Sequence, residues 1–506
     1  MMLKFFSTQP DHPLGEAKEF KRVLASLPQD AFKAVDELYT WLESLRQADD
    51  FRLDHLYEVL GGLDRAAQPH LKQLARHYLG TPRLSKSEER RLWAMCFNYW
   101  GEVSRLYDVC IERFNRNPKD RGGSVFKGDL PLVATRLMAA RSNQIKWINY
   151  RYGVVGEDLW RGIGMPYLAA EAKGYAQKAV QIYPGAPGTS SVVWQYLQAL
   201  VRESSSVGML LPFEIEMADR LITYFLPSFV FGKEYSPASA YGVDAASAMP
   251  PARLVRQPAA ASPNLRFFQP GAAFPALEEL LNVVERGTIP KEINLGMECS
   301  APALLKVMKH LALYWAPVPP QREYVRHAVK TRMAVLQGFD NSLAVFACKV
   351  ARLGVEQSAE SWVVDNVSLG GFRAGTDTAG DWLTIGSLLC LQPEGGDNWV
   401  LGVVRRRSVN ADAQAVIGIQ TLARNAQGVE LRPRTTGISA DAIPGIWLFG
   451  DNAADRVRLV LPPGRFNVRQ ILELVHNDKR YLLTPMELEE SGGDFEIGVY
   501  REQTIE

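Results

Sequence analysis

The chain reads as a multidomain α-plus-β protein, with an N-terminal all-α helical array and short antiparallel strands from there to the end. Three observations predict this. Apolar residues recur at helical spacing to about residue 230, and again up to Trp315. A stiff, proline-rich joint follows, with Pro317, Pro319 and Pro320. Beyond it, apolar residues alternate with period two between glycine-containing turns. The 506 residues allow two to four domains, each with ample core.

In chain order, the helices begin with Glu16 to Leu27. Pro28-Gln29-Asp30 starts a second helix, which carries Phe32, Val35, Leu38, Tyr39, Leu42 and Leu45 on one face. Ser85-Lys86-Ser87-Glu88 reads as a capping box opening a long amphipathic helix through Trp93, Phe97, Trp100, Val103 and Leu106 to about Phe114. After a break at Asn117 to Gly123, helices are expected near 130–152, 157–182, 189–206 and 212–226. Trp160, Ile163, Gly164 and Tyr167, with Ala176, resemble the signature of a tetratricopeptide repeat. Pro166 sits inside that motif and no second copy follows at a period near 34 residues, so a helical-hairpin array fits better than a true repeat domain. Either way, a concave helical array is a common protein-binding surface.

The helical domain is set at residues 1–234. Residues 235–265, rich in Ala, Ser and Pro, are expected to form an extended, partly mobile loop. A helical extension covers 266–315, with helices over Pro275 to Arg286 and from Ser300 to Trp315; His310 on the latter is expected at the surface. The joint spans 316–321. A first β-unit covers 322–430, with strands at Val329 to Leu336, Ser361 to Val367, Ser387 to Leu391, 398–407 and 414–421. A second antiparallel β-unit fills 431–506, with strands around Trp447, Val457 to Leu461, Val468 to Val475, Tyr481 to Leu483 and Phe495 to Tyr500. It could be a degenerate second barrel packed on the first.

Composition narrows the function. A net charge of +1 argues against a general nucleic-acid binder, which would show a broad basic field. Five scattered cysteines (Cys96, Cys110, Cys299, Cys348, Cys390) without Cys-x-x-Cys spacing suit buried, reduced thiols. The N-terminus has no apolar signal region, and no apolar run approaches the roughly 18 residues that span a bilayer, so direct membrane insertion is not expected and a cytoplasmic location is. No nucleotide-binding P-loop, His-Glu-x-x-His or Gly-x-Ser-x-Gly stands out, and the seven histidines form no cluster at metal-ligand spacing. No catalytic residues, metal or cofactor are therefore expected.

The informative stretch runs from Arg322 to Gly371. Arg322-x-x-x-Arg326 follows the prolines, and Asn366-x-Ser368-x-x-Gly371 closes a strand-like run. In this order, ahead of short strands, the two pieces resemble the two-part signature of PilZ domains, the six-stranded β-barrels that bind the bacterial second messenger cyclic di-GMP. Gly402-Val403-Val404-Arg405-Arg406 and Gly418-Ile419 resemble that family's last two long strands, although Gln420-Thr421-Leu422 lacks its usual aromatic. The gap from Arg326 to Asn366 is longer than most members show. A helical insertion explains it, with Asn341 as N-cap, helix from Leu343 to Leu353, and Gly354 at the C′ position.

The resemblance implies a bacterial cyclic di-GMP receptor with ligand contacts at Arg322, Arg326, Asn366, Ser368 and Gly371, and with a protein partner engaged by the helical half. The alternative is a degenerate, non-binding barrel in an interaction module. The residue types suit the ligand. A planar guanidinium pairs with guanine O6/N7 or with phosphate, short Asn and Ser side chains address a base edge, and a glycine permits close backbone approach.

Overall fold

The computed structural model describes residues 10–505, apart from 49, 82–83, 120, 186–187, 259–261, 291–292, 296–298, 318–323, 348–358, 378–379, 381, 397, 410–413, 435–440, 451–454 and 477–478. The chain divides into two compact units, Met1–Pro320 and Gln321–Glu506.

The first unit opens with helices α1 (Ala17–Ala25), α2 (Ala31–Arg46), α3 (Leu53–Gly80), α4 (Lys86–Arg116), α5 (Gly123–Tyr150), α6 (Glu157–Ala172), α7 (Val192–Ser204) and α8 (Pro212–Phe225). Local chemistry sets the starts. The Asp30 carboxylate accepts from the Lys33 amide, and Ser85 Oγ accepts from the Glu88 amide at 3.2 Å. The capping box at Ser85 is half made, because the Glu88 carboxylate pairs with His77 at 3.5 Å. The predicted stripe Val35, Leu38, Leu42 and Leu45 is buried, as are Trp160, Ile163, Tyr167 and Ala176. The helix expected over 157–182 stops at Ala172, where Lys173 and Gly174 close its last turn. The helix expected from about 130 already begins at Gly123.

Residues 235–265 are not the uninterrupted loop expected from their composition, since two short strands lie within them. Strands β1 (Val230–Gly232), β2 (Tyr241–Asp244), β3 (Ala252–Arg253) and β4 (Leu265–Gln269) form a sheet in the order β1-β4-β2-β3. Tyr241 stacks on Phe268 with ring centroids 5.2 Å apart, and its hydroxyl donates to the Tyr314 carbonyl at 3.0 Å. Arg266 is buried on β4 and donates to the Tyr167 hydroxyl and the Glu171 carboxylate. Gly164 shows how close the packing is, since a Cβ there would lie 1.9 Å from the Ala245 carbonyl oxygen. Isolated aromatic anchors hold this sheet, and a composition rule does not register them.

Helices α9 (Ala273–Glu285) and α10 (Ala301–Trp315) complete the unit, the latter capped by Ser300. His310, expected at the surface, is half-buried with Nε2 2.8 Å from the Ser205 carbonyl oxygen.

The second unit holds two closed six-stranded barrels. The first comprises β5 (His327–Gln337), β6 (Glu360–Ser368), β7 (Gly371–Thr376), β8 (Leu388–Pro393), β9 (Val400–Val409) and β10 (Ala415–Ala423), in the order β10-β7-β6-β5-β8-β9. Strand β7 escaped the sequence reading because Gly371 and Gly375 dilute its pattern. The second barrel comprises β11 (Asn425–Pro433), β12 (Ile443–Phe449), β13 (Arg456–Leu461), β14 (Leu472–His476), β15 (Lys479–Ser491) and β16 (Glu496–Ile505), in the order β11-β12-β13-β16-β15-β14. Its first strand starts at Asn425, ahead of the expected boundary at 431, and Val468 lies outside β14 and is exposed.

The insertion between β5 and β6 carries α11 (Gly338–Phe346), which starts earlier than expected. Asn341 is inside the helix, donating to the Gln337 carbonyl at 2.8 Å, and is not its N-cap. Gly354 lies outside the described residues. The barrels share an apolar seam in which Phe339, Leu388, Leu401 and Val403 meet Ile446, Leu448, Val460 and Phe495. Beside it, Arg405 on β9 forks onto Glu490 on β15, with Nη2 to Oε2 at 2.6 Å. Cys96, Cys110, Cys299 and Cys390 are free thiols.

Candidate functional site

Strands β5, β6 and β7 bring most of the predicted residues together at one end of the first barrel. In the antiparallel β5–β6 ladder, His327 pairs with Val367 and Ala328 with Asn366. Arg326 and Ser368 each lie one residue from the His327–Val367 pair, so register alone sets them side by side. The β6–β7 hairpin closes through Ser368 paired with Gly371, leaving Leu369-Gly370 as a two-residue tip. Ser368 Oγ donates to the Gly371 carbonyl at 3.3 Å. Arg322 lies outside the described residues.

The tip is anchored from the next strand and its end. The Thr421 amide donates to the Gly370 carbonyl at 3.0 Å, and Arg424 Nη2 donates to the Leu369 carbonyl at 3.2 Å. A Cβ on Gly371 would lie 2.0 Å from the Ile419 carbonyl oxygen. Gly371 therefore lets β7 close on β10, which is a structural reason for glycine independent of any ligand. Gly370 has a second reason, as a Cβ there would fall 2.8 Å from Cδ2 of Tyr324. The ring of Tyr324 thus rests on the hairpin tip and ties the segment before β5 to it.

Arg326 is exposed, Asn366 and Ser368 are half-buried, and neither Arg326 nor Asn366 makes a side-chain hydrogen bond among the described residues. A free guanidinium, a free amide and a rigid hairpin on one surface can receive a planar, anionic ligand bearing hydrogen-bonding edges. Tyr324, Arg373 and Arg424 were not singled out by sequence reasoning. For Arg373 the available signal was period two, because it stands two residues beyond Gly371 and shares its strand's outward alternation.

A separate polar cluster lies in the helical unit. Lys146 pairs with Glu216 at 2.9 Å and Asp219 at 3.2 Å, Arg202 pairs with Asp219 at 2.7 Å, and the Tyr150 hydroxyl donates to Glu216 at 2.6 Å. Burial alone would raise the Asp219 carboxyl, but Lys146 and Arg202 outweigh it and hold the group at about 2. The cluster binds α5, α7 and α8 together beneath a cavity of about 440 Å³. Among the described residues, no group of three or more His, Cys, Asp or Glu side chains is arranged to hold a metal ion, and no helix is long and apolar enough to cross a membrane.

Residues 18–234 match a family model described as the N-terminal domain of the cyclic-di-GMP receptor FimW. The match covers the helical array and stops short of both barrels. No curated protein matches the chain.

Proposed function

We propose that this chain is a cyclic di-GMP receptor of the PilZ type, with its ligand held on the first barrel by Arg322 and Arg326 on one side and by Asn366, Ser368 and Gly371 on the other. The observation that carries the reading is the β5–β6 register. Residues some forty apart in sequence become neighbours, with the exposed Arg326 beside the hairpin that bears Asn366 and Ser368. The match of residues 18–234 to the N-terminal domain of a cyclic-di-GMP receptor supports the same reading from a part of the chain that the motif does not touch. Its role is that of a bacterial, cytoplasmic, non-enzymatic effector.

The arginine segment begins directly after Pro320, where the first unit ends. A ligand that engages Arg322 and Arg326 therefore acts on the chain that connects the units, and a segment whose order depends on ligand is a two-state element that binding can bias. The helical unit passes this change to a protein partner. By linkage, that partner alters ligand affinity by the same factor as the ligand alters its own. Titration of the full chain with cyclic di-GMP tests the reading, and an absence of binding would leave the barrel as a non-binding scaffold.

A further inference from the structure

The outer face of the first barrel carries a row of residues wider than the motif. Asn366 on β6 pairs with Arg373 on β7, Arg373 with Gly418 on β10, and Gly418 with Arg406 on β9. Cross-strand partners in an antiparallel sheet project to the same face, so these four share one side of it. Ala328 on β5 continues the row beyond Asn366. Arg373 and Arg406 are exposed, which puts the row on the solvent side.

The middle of the row is bare. Gly418 has no side chain, and a Cβ there would lie 3.1 Å from Cβ of Arg406. Two strand spacings separate the backbones of Arg373 and Arg406, about 10 Å, and both side chains are long enough to reach over the glycine from opposite sides. A shallow floor of backbone therefore lies between the two arginine positions. Arg406 makes no side-chain hydrogen bond or ion pair among the described residues. Among the described residues Arg373 has one ion pair, to Asp365 at 3.3 Å, with both side chains half exposed. An exposed pair of that kind contributes little and yields readily to a better anion.

A cyclic dinucleotide carries two phosphates. Arg326 supplies a cation on the β5 side of Asn366, and Arg373 and Arg406 supply two on the β7 side. We infer that Arg373 and Arg406 form a phosphate clamp over Gly418, so that the ligand site runs from Arg326 across Asn366 to Arg406. This rests on the receptor reading above and adds two ligand-contacting residues that lie outside the two-part motif. Asp365 holds Arg373 in the unliganded barrel, and the phosphate must displace it.

Isothermal titration of the full chain with cyclic di-GMP tests this, using wild type, Arg326→Ala, Arg373→Ala, Arg406→Ala and Asp365→Asn, with melting temperatures as the check on folding. Arg373→Ala and Arg406→Ala should each weaken binding at least fivefold at unchanged melting temperature. Asp365→Asn, which frees Arg373, should bind as tightly as wild type or more tightly. If Arg373→Ala and Arg406→Ala bind like wild type while Arg326→Ala does not bind, the clamp is wrong and the receptor reading stands. Should Asp365→Asn weaken binding as much as Arg373→Ala, Arg373 serves only to brace β6 against β7 and the clamp falls. A wild type that binds nothing removes the receptor reading, and the clamp with it.

Discussion

Arg326 and Ser368 stand side by side at the end of the β5–β6 ladder, yet they differ in what their loss should do. Arg326 is exposed and unpaired among the described residues, so Arg326→Ala should leave the melting temperature almost unchanged while weakening cyclic di-GMP binding at least tenfold by titration calorimetry. Ser368→Ala should cost less, because a neutral hydrogen bond contributes about 0.5–1.5 kcal/mol, and here it also closes the hairpin onto Gly371. Gly371→Ala belongs to another class. Its Cβ would collide with the Ile419 carbonyl, so a clear drop in melting temperature should precede any loss of binding. In the helical unit, the Asp219 carboxyl ionises at about 2 against a reference of 3.8. A depressed carboxylate stabilises the fold fully above the unfolded value and loses that contribution as pH falls through the folded value. Denaturant titrations should therefore show stability falling between about pH 4 and pH 2. Asp219→Asn, which leaves buried cations less compensated, should destabilise the protein at neutral pH by about 3–5 kcal/mol.

Among the elements, helices and long strands were the more legible in the sequence, because their apolar periodicity reports a buried face directly. Ser85, Ser300 and Asp30 mark helix starts by the same capping chemistry in sequence and structure. The sheet β1-β4-β2-β3 was hidden because its strands span two to five residues, too short for a period to emerge, and because Tyr241 and Arg266 anchor it through partners far away in sequence. Strand β7 was hidden by its glycines, of which Gly371 answers to the close approach of β10. Of the site, the motif residues were readable as types at a spacing, and Arg373 only through period two from Gly371, whereas Tyr324 enters only through contact. The packing of β2 and β4 makes a prediction about proteolysis. Limited digestion should spare Tyr241–Asp244 and Leu265–Gln269 at protease levels that cut exposed loops. Gly164→Ala should remove that protection, because a methyl at 164 displaces the Ala245 backbone. Early cleavage within 241–244 in the wild type would contradict the sheet.

The whole molecule joins a helical unit, which matches the N-terminal domain of a cyclic-di-GMP receptor over residues 18–234, to a pair of barrels of which the first carries Asn366 and Ser368. The shared apolar seam and the Arg405–Glu490 fork make the two barrels one unit, so ligand-induced change is expected in the chain between units and not between barrels. Hydrogen exchange over residues 312–330 should slow on addition of cyclic di-GMP, and protection confined to β6 and β7 would leave a binding module without a switch. The most direct measurement is isothermal titration of the purified full chain with cyclic di-GMP, run beside cyclic di-AMP and the linear dinucleotide. Arginine pairing to guanine supplies about 1–3 kcal/mol of base discrimination per bidentate contact, so the guanine ligand should bind at least tenfold more tightly than the adenine one. No heat and no thermal stabilisation at high-micromolar cyclic di-GMP would contradict a receptor built on Arg326, Asn366 and Ser368.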